Sequence, residues 1–285
     1  MVRTSQSASQ GVRVLGPGDV AEALELIAAD PVVNVFAEYR TRITQLDTRW
    51  LGGEMWGYHE NDRLVSMCHV GANMVPVQAG PEDVAAFAER ASGSRRGVAS
   101  IVGPQVAVEA LWGRLSETWG TPRELRCGQP HLQIDGAPAV APDPAVRRTT
   151  MADFDVVYPA CVDFYTEELG VSPEYGGGGS FYRARVQQLI SRGWQFARIE
   201  DGRVLFKAEV GCTSPYAAQI QGVYVDPALR GRGLASHGMA AVVEAIRSEI
   251  APVASLYVNE WNLPARRAYE KAGFVESGRF TTVMF

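Results

Sequence analysis

No stretch of the 285 residues is apolar over the roughly 20 positions that a membrane span requires. The N-terminus, MVRTSQSASQG, lacks the apolar core of a secretory signal. Cysteine is scarce: Cys68, Cys127, Cys161 and Cys212 lie far apart and form no Cys-x-x-Cys pair. That pattern argues against a disulfide framework and reads as free, mostly buried thiols of a reducing compartment. His59, His69, His131 and His237 show no metal-binding spacing such as His-Glu-x-x-His, so no metal is expected. An excess of basic residues is missing as well. A net charge of −5 argues against nucleic acid as the main partner. These absences leave the expectation of a cytoplasmic protein that binds neither membrane nor nucleic acid.

What is present is an ordinary globular composition, 46% hydrophobic and 21% charged, on a chain long enough for one large domain or two of common size. Residues 1–11 are small and polar and read as a disordered tail. Residues 135–145, DGAPAVAPDPA, carry three prolines and read as a linker. Around that linker the chain repeats itself weakly. VRVLGPGD (12–19) matches VRRTTMAD (146–153), and ENDRLVSMCHVG (60–71) matches EDGRVLFKAEVG (200–211) without a gap. The second pair reads as a hairpin, turning at Asn61-Asp62 in one copy and Asp201-Gly202 in the other. A third pair, SIVGP (100–104) and VYVDP (223–227), shares Val-x-Pro, and each is followed by an amphipathic helix, carrying Val106, Leu111, Leu115 and Trp119 in the first copy. Two copies of one αβ unit are expected, over 12–134 and 146–285. The six tryptophans are scattered and read as packing residues.

The copies differ at one step. QIQGVYV (219–225) has the β-branched and aromatic character of a strand, and Leu234, Met239, Val242, Val243 and Ile246 recur at helical spacing. Between them stands Arg230-Gly231-Arg232-Gly233. Glycines that let a backbone come close, followed by a helix start with unpaired N–H groups, suit an anion and above all phosphate. On the third match, this step faces Ala107-Val108-Glu109-Ala110, which has neither glycine nor arginine, so only the second copy is expected to hold phosphate. No Walker loop is present, and Ser236 stands where a dinucleotide fold needs its third glycine.

Arg230-x-x-Gly233-x-Ala235, with Val225 ahead of it, resembles the pyrophosphate loop of the GNAT N-acetyltransferases. SLYVNEWNLPARRAYEKAGF (255–274) is similar to their later motif through Asn262, Ala265, Arg266, Tyr269, Gly273 and Phe274. The resemblance covers 195–285 and extends toward 146, and it reaches the first half only through the repeat. It implies two tandem GNAT-like α/β domains, each a mixed central sheet flanked by helices, with the first a degenerate copy. It implies an N-acetyltransferase that moves acetyl from acetyl-CoA to a primary amine by direct attack.

The resemblance also implies a site. Main-chain N–H groups of Arg230, Gly231, Arg232, Gly233, Leu234 and Ala235 would hold the pyrophosphate, with Asn262 and Arg266 completing the cofactor site. Val223 and Val225 would pair with the pantetheine arm, and an N–H near Val223 would polarise the thioester. Tyr269 would be the acid for the departing thiol. The strand before the loop carries Gln219 and Gln221, substrate-binding candidates that cannot be bases, where many family members carry glutamate. Glu209 is the nearest acid, as a base or as a solvated surface group. Glu167 and Glu168 would face a cationic acceptor or simply end a helix, and Gly176–Gly179 would be a lid or a plain connector. The acceptor itself, a small molecule or a peptide, stays open, as does a monomer or homodimer. The alternatives are a module that senses acetyl-CoA without turnover and an acyltransferase for a longer acyl-CoA.

Overall fold

The computed structural model describes residues 11–93 and 97–285. The chain divides into two compact units, the first running to His131 and taking in Gly278–Phe285, the second Leu132–Ser277. The expected tail lies outside the described residues apart from Gly11.

In the first unit β1 (Gly11–Val14), β2 (Gly53–Glu60), β3 (Arg63–Gly71) and β4 (Asn73–Val77) run antiparallel in that order. β5 (Ser100–Pro104) lies parallel to β4 and antiparallel to the end of the last strand of the chain. α1 (Val20–Ile27), α2 (Val35–Thr44) and α3 (Thr48–Leu51) cover one face, with Leu15, Ile27, Leu51, Met55 and Met67 in one core. α4 (Pro81–Ser92) and α5 (Gln105–Trp119) cover the other, with Cys68, Met74, Phe87, Leu111 and Leu115. Met67 and Cys68 fall on opposite faces because side chains alternate along a strand. β6 (Glu124–Ile134) follows α5, and its last residues, Leu132 and Ile134, enter the core of the second unit.

The second unit repeats the plan. β7 (Arg147–Arg148), β8 (Gln195–Glu200), β9 (Arg203–Thr213) and β10 (Ala217–Val225) are antiparallel, and β11 (Val253–Tyr257) is parallel to β10. α6 (Phe154–Leu169) and α7 (Gly179–Ser191) pack Val157, Cys161, Val186 and Ile190 on one face. α8 (Leu234–Glu249) and α9 (Leu263–Ala272) pack Met239, Val243, Ile246 and Tyr269 on the other. β12 (Val275–Met284) follows α9, and its end pairs Phe280–Met284 with β5.

The duplication is visible at side-chain level. Arg13 grips Asp19 and Arg147 grips Asp153, each pair six residues apart. Each aspartate also accepts from the main chain three residues before it, Gly16 N or Thr150 N, the reach of a capping residue. Both hairpins turn on two residues of positive φ, Asn61 and Asp62 in one, Asp201 and Gly202 in the other. Both carry a register shift at the same place, Tyr58/His59 and Arg198/Ile199.

Four expectations are corrected. By strand order β5 corresponds to β11, so SIVGP matches 253–257 rather than VYVDP, and the partner of the 226–233 step is 78–80, between β4 and α4. Val-x-Pro recurs because both β5 and β10 end where proline stops a ladder, and it says nothing about strand order. At the true counterpart, Asp83 in the first turn of α4 accepts from Gly80 N, so a carboxylate already sits where an anion would bind. The second correction concerns Val106, which is 69% exposed, while Ala107 and Val108 face the core. The third concerns Trp50 and Trp261, which are exposed rather than packed. The fourth concerns residues 135–145, which belong to the second unit. Ala139 N donates to Ala272 O, Ala141 O meets His237 Nδ1 at 2.7 Å, and Asp143 pairs with Arg198 at 2.9 Å. Prolines make that stretch extended, and extended backbone docks as readily as it links.

Candidate active site in the second unit

β10 pairs with β11 only over Ala217↔Val253, Ala218↔Ala254 and Gln219↔Ser255. Beyond Gln219, β10 continues to Val225 without that partner, so the main chain of Val223 and Val225 has left the β11 ladder. Against β9 the strand is irregular twice, by a register shift between Gln219 and Ile220 and by a bulge between Gln221 and Tyr224. Gln221 opposes Glu209 and Tyr224 opposes Lys207, so three steps on β10 match two on β9. Gly222 sits in it with φ +63°, a conformation that other residues adopt at a cost. A Cβ there would stand 2.8 Å from the Glu209 carboxyl carbon. Gly222→Ala is therefore expected to destabilise the protein by about 1–3 kcal/mol, through backbone strain and crowding, measured by denaturant titration.

After β10, Asp226 caps a short turn by accepting from Ala228 N at 2.9 Å, and Arg203 holds its other oxygen. The chain then passes Arg230–Gly233 into the sixteen residues of α8. Gly231 and Gly233 have φ of +78° and +85°. A Cβ on Gly231 would meet nothing within 4 Å, and one on Gly233 only the His237 ring at 3.8 Å. Among the described residues, no protein acceptor takes the N–H groups of Gly231 to Ala235. Arg232 is exposed and has no carboxylate partner among the described residues. Open space, unpaired donors, the positive end of a long helix and a cation together suit a diphosphate.

Arg230, expected at the pyrophosphate, and Glu167, expected to face a cationic acceptor or to end a helix, hold each other. The guanidinium donates two hydrogen bonds of 2.8 and 2.7 Å to the carboxylate, and its Nε donates to Val225 O. The bond to Arg230 holds the Glu167 carboxyl below its usual range. Both side chains are about half exposed (46% and 56%), so the pair contributes about 1 kcal/mol or less. Glu167→Gln would loosen Arg230 beside the loop. Coenzyme A is expected to bind it up to about fivefold more tightly in calorimetry, with the gain lost in high salt.

Glu168 accepts from Asn259 Nδ2 at 3.1 Å, which ties the end of α6 to the loop after β11. Tyr269 lies on α9, 6% exposed, with its ring 6.0 Å from that of Phe274. Burial first, and then Glu168, push its hydroxyl pKa well above the usual tyrosine value, so it stays protonated at neutral pH. Glu209 is almost buried and accepts from Gln221 Nε2 at 2.8 Å. It is therefore no solvated surface acid. Gln219 faces Cys212, whose thiol burial pushes up to about 12. Asn262 and Arg266 serve the main chain: Asn262 caps α9 by accepting from Ala265 N, and Arg266 donates to Glu260 O. Gly176 and Gly177 have positive φ inside a short turn ahead of α7.

One group stands out that the motifs did not point to. Lys207 is completely buried, and its Nζ donates to Gly222 O at 2.8 Å. Its signal in the sequence is a lysine inside the apolar run VLFKAEV, opposite a lone glycine in QIQGVYV.

Comparison with known proteins adds the following. Residues 193–274 match the family model described as "Acetyltransferase (GNAT) family", and residues 53–157 match one described as "Domain of unknown function (DUF4081)". A curated relative, a mycothiol acetyltransferase of Brachybacterium faecium, is 34% identical over 110 residues, 35% of this chain and only 33% of that protein. Among solved structures, a GCN5-related N-acetyltransferase from Sphaerobacter thermophilus aligns at TM-score 0.60 and 17% identity, covering 96% of this chain and 94% of that one. A tandem GNAT protein from the clavulanic acid biosynthesis pathway aligns at 0.54 and 15% identity, covering 97% and 98%. At these identities the two structures speak for the fold. No helix among the described residues is long and apolar enough to cross a membrane.

Proposed function

We propose, from the premise that residues 193–274 are a domain of the GNAT acetyltransferase family, that the second unit transfers acetyl from acetyl-CoA directly to a primary amine. The observation that carries the reading is the loop at 230–235: two glycines of positive φ and a run of free amides open onto solvent at the start of α8. When bound, acetyl-CoA supplies an acetyl group activated as a thioester.

The residues divide the work as follows. The amides of Gly231 to Ala235 and the Arg232 guanidinium hold the diphosphate. The main chain of Val223 and Val225, released from β11, pairs with the amides of the pantetheine arm as an added strand would. The N–H of Val223 donates to the acyl oxygen. Tyr269 keeps its proton at neutral pH and gives it to the departing sulfur. Glu209, ordered by Gln221, takes the proton of the acceptor ammonium. Gln219 and Gln221 edge the acceptor side, while Glu167 and Glu168 brace the loops instead of attracting the amine. Direct transfer is the reading that two buried thiols support, since Cys161 and Cys212 are enclosed and burial pushes them up to about 11 and about 12.

The name of the Brachybacterium relative puts amines related to mycothiol at the head of the acceptor panel. The test is a thiol-release screen of acetyl-CoA and longer acyl-CoAs against that panel. Release that depends on an amine and is fastest with acetyl-CoA supports the reading. Tight acetyl-CoA binding with no release on any amine favours a sensing module instead.

A further inference from the structure

A buried ammonium is costly unless it is paired, so the contacts of Lys207 call for a reason. Its Nζ donates to the Gly222 carbonyl at 2.8 Å, lies 3.8 Å from Glu209 Oε2, and stands 4.9 Å from the Phe164 ring centre. The first unit supplies a comparison within the same chain. Met67 holds the place of Lys207 in the matching hairpin, fully buried. There the next strand is regular: Met67 opposes Val77 and His69 opposes Val75, two steps against two. In the second unit the same span is two steps against three. The copy with the lysine has the bulge, and the copy with methionine has neither the bulge nor a loop of glycines and arginines at its strand-to-helix step.

The carbonyl of Gly222 and the N–H of Val223 belong to one planar trans peptide and point in opposite directions. A cation bonded to the carbonyl fixes the plane of that peptide. It also draws electron density from the nitrogen, which strengthens the N–H as a donor. We propose that Lys207 is a positioning residue that, by gripping the Gly222 carbonyl, aims and polarises the Val223 N–H toward an acyl oxygen. The proposal rests on the acetyltransferase reading for what that N–H serves, but the coupling from lysine to peptide can be measured without it.

Lys207→Met installs the residue of the first copy, and Lys207→Gln keeps a neutral donor. With valine labelled in ¹⁵N, the Val223 amide resonance of the free protein is expected to move clearly in Lys207→Met and less in Lys207→Gln. With acetyl-CoA bound, the thioester carbonyl band is expected to return toward its free-solution position in Lys207→Met. Where an acceptor is in hand, kcat is expected to fall about tenfold, less than the 10²–10³ of removing a donor outright, with acetyl-CoA affinity nearly unchanged. An unmoved Val223 resonance with an unmoved carbonyl band overturns the proposal. Should Lys207→Met fail to fold, Lys207→Gln decides by the same resonance. Absence of acetyl-CoA binding by the parent protein overturns the functional reading instead, and the Val223 resonance still decides the role of Lys207.

Discussion

Replacing Gly231 and Gly233 together by valine is expected to weaken coenzyme A binding by about 10² or more while leaving the fold in place. Both glycines have positive φ, where a β-branched residue is strained, so the loop must take another path and its amides turn away. Losing two charge-assisted hydrogen bonds at about 1.5 kcal/mol each is about 3 kcal/mol, a factor of about 150 in Kd. The loop is largely exposed, and a Cβ at either glycine meets no close atom, so crowding adds nothing to the cost. Calorimetry with coenzyme A, beside a thermal melt, separates lost affinity from lost structure. A double variant that binds as the parent does would move the phosphate site elsewhere.

The second large effect belongs to Tyr269→Phe. Removing a positioned acid costs about 10²–10⁴ in turnover, and phenylalanine keeps the ring in its place among the α8 and α9 side chains. kcat is therefore expected to fall by about that factor, with acetyl-CoA affinity and melting temperature close to the parent values. The pH profile adds a check. A raised hydroxyl pKa means that the acid form persists past the usual tyrosine value and is lost only above it. For the parent, kcat is thus expected to show no alkaline fall from Tyr269 between pH 8 and 10. A fall in that window that vanishes in Tyr269→Phe would put the hydroxyl in a more polar setting than the core of α8 and α9 provides.

Much of this was legible in the residues. The loop leaves a local mark, two glycines and two arginines between a strand and a helix, and both glycines have positive φ. The hairpin match at 60–71 and 200–211 is carried by turn chemistry, which is local, and it extends to a shared register shift. The likeness of SIVGP to VYVDP misleads for the opposite reason. Which strand lies beside which is decided by long-range pairing, and Val-x-Pro marks only where a strand stops. The same limit hid the pairing of Arg230 with Glu167, 63 residues apart, and that of Glu168 with Asn259, 91 apart. The partner of each of these four comes from another element, which no local pattern in the sequence shows. Gly222 and Lys207 did leave a trace, a lone glycine in one strand and a lone lysine in the next. That trace gains meaning only when the two strands are known to be neighbours.

The central claim is that the amides at the start of α8 bind a diphosphate. Titration of acetyl-CoA into the folded protein by calorimetry tests it most directly, with the Gly231→Val, Gly233→Val double variant alongside. The account predicts saturable heat with the parent protein and about a hundredfold weaker binding in the variant. No heat and no rise in melting temperature at millimolar acetyl-CoA would contradict it.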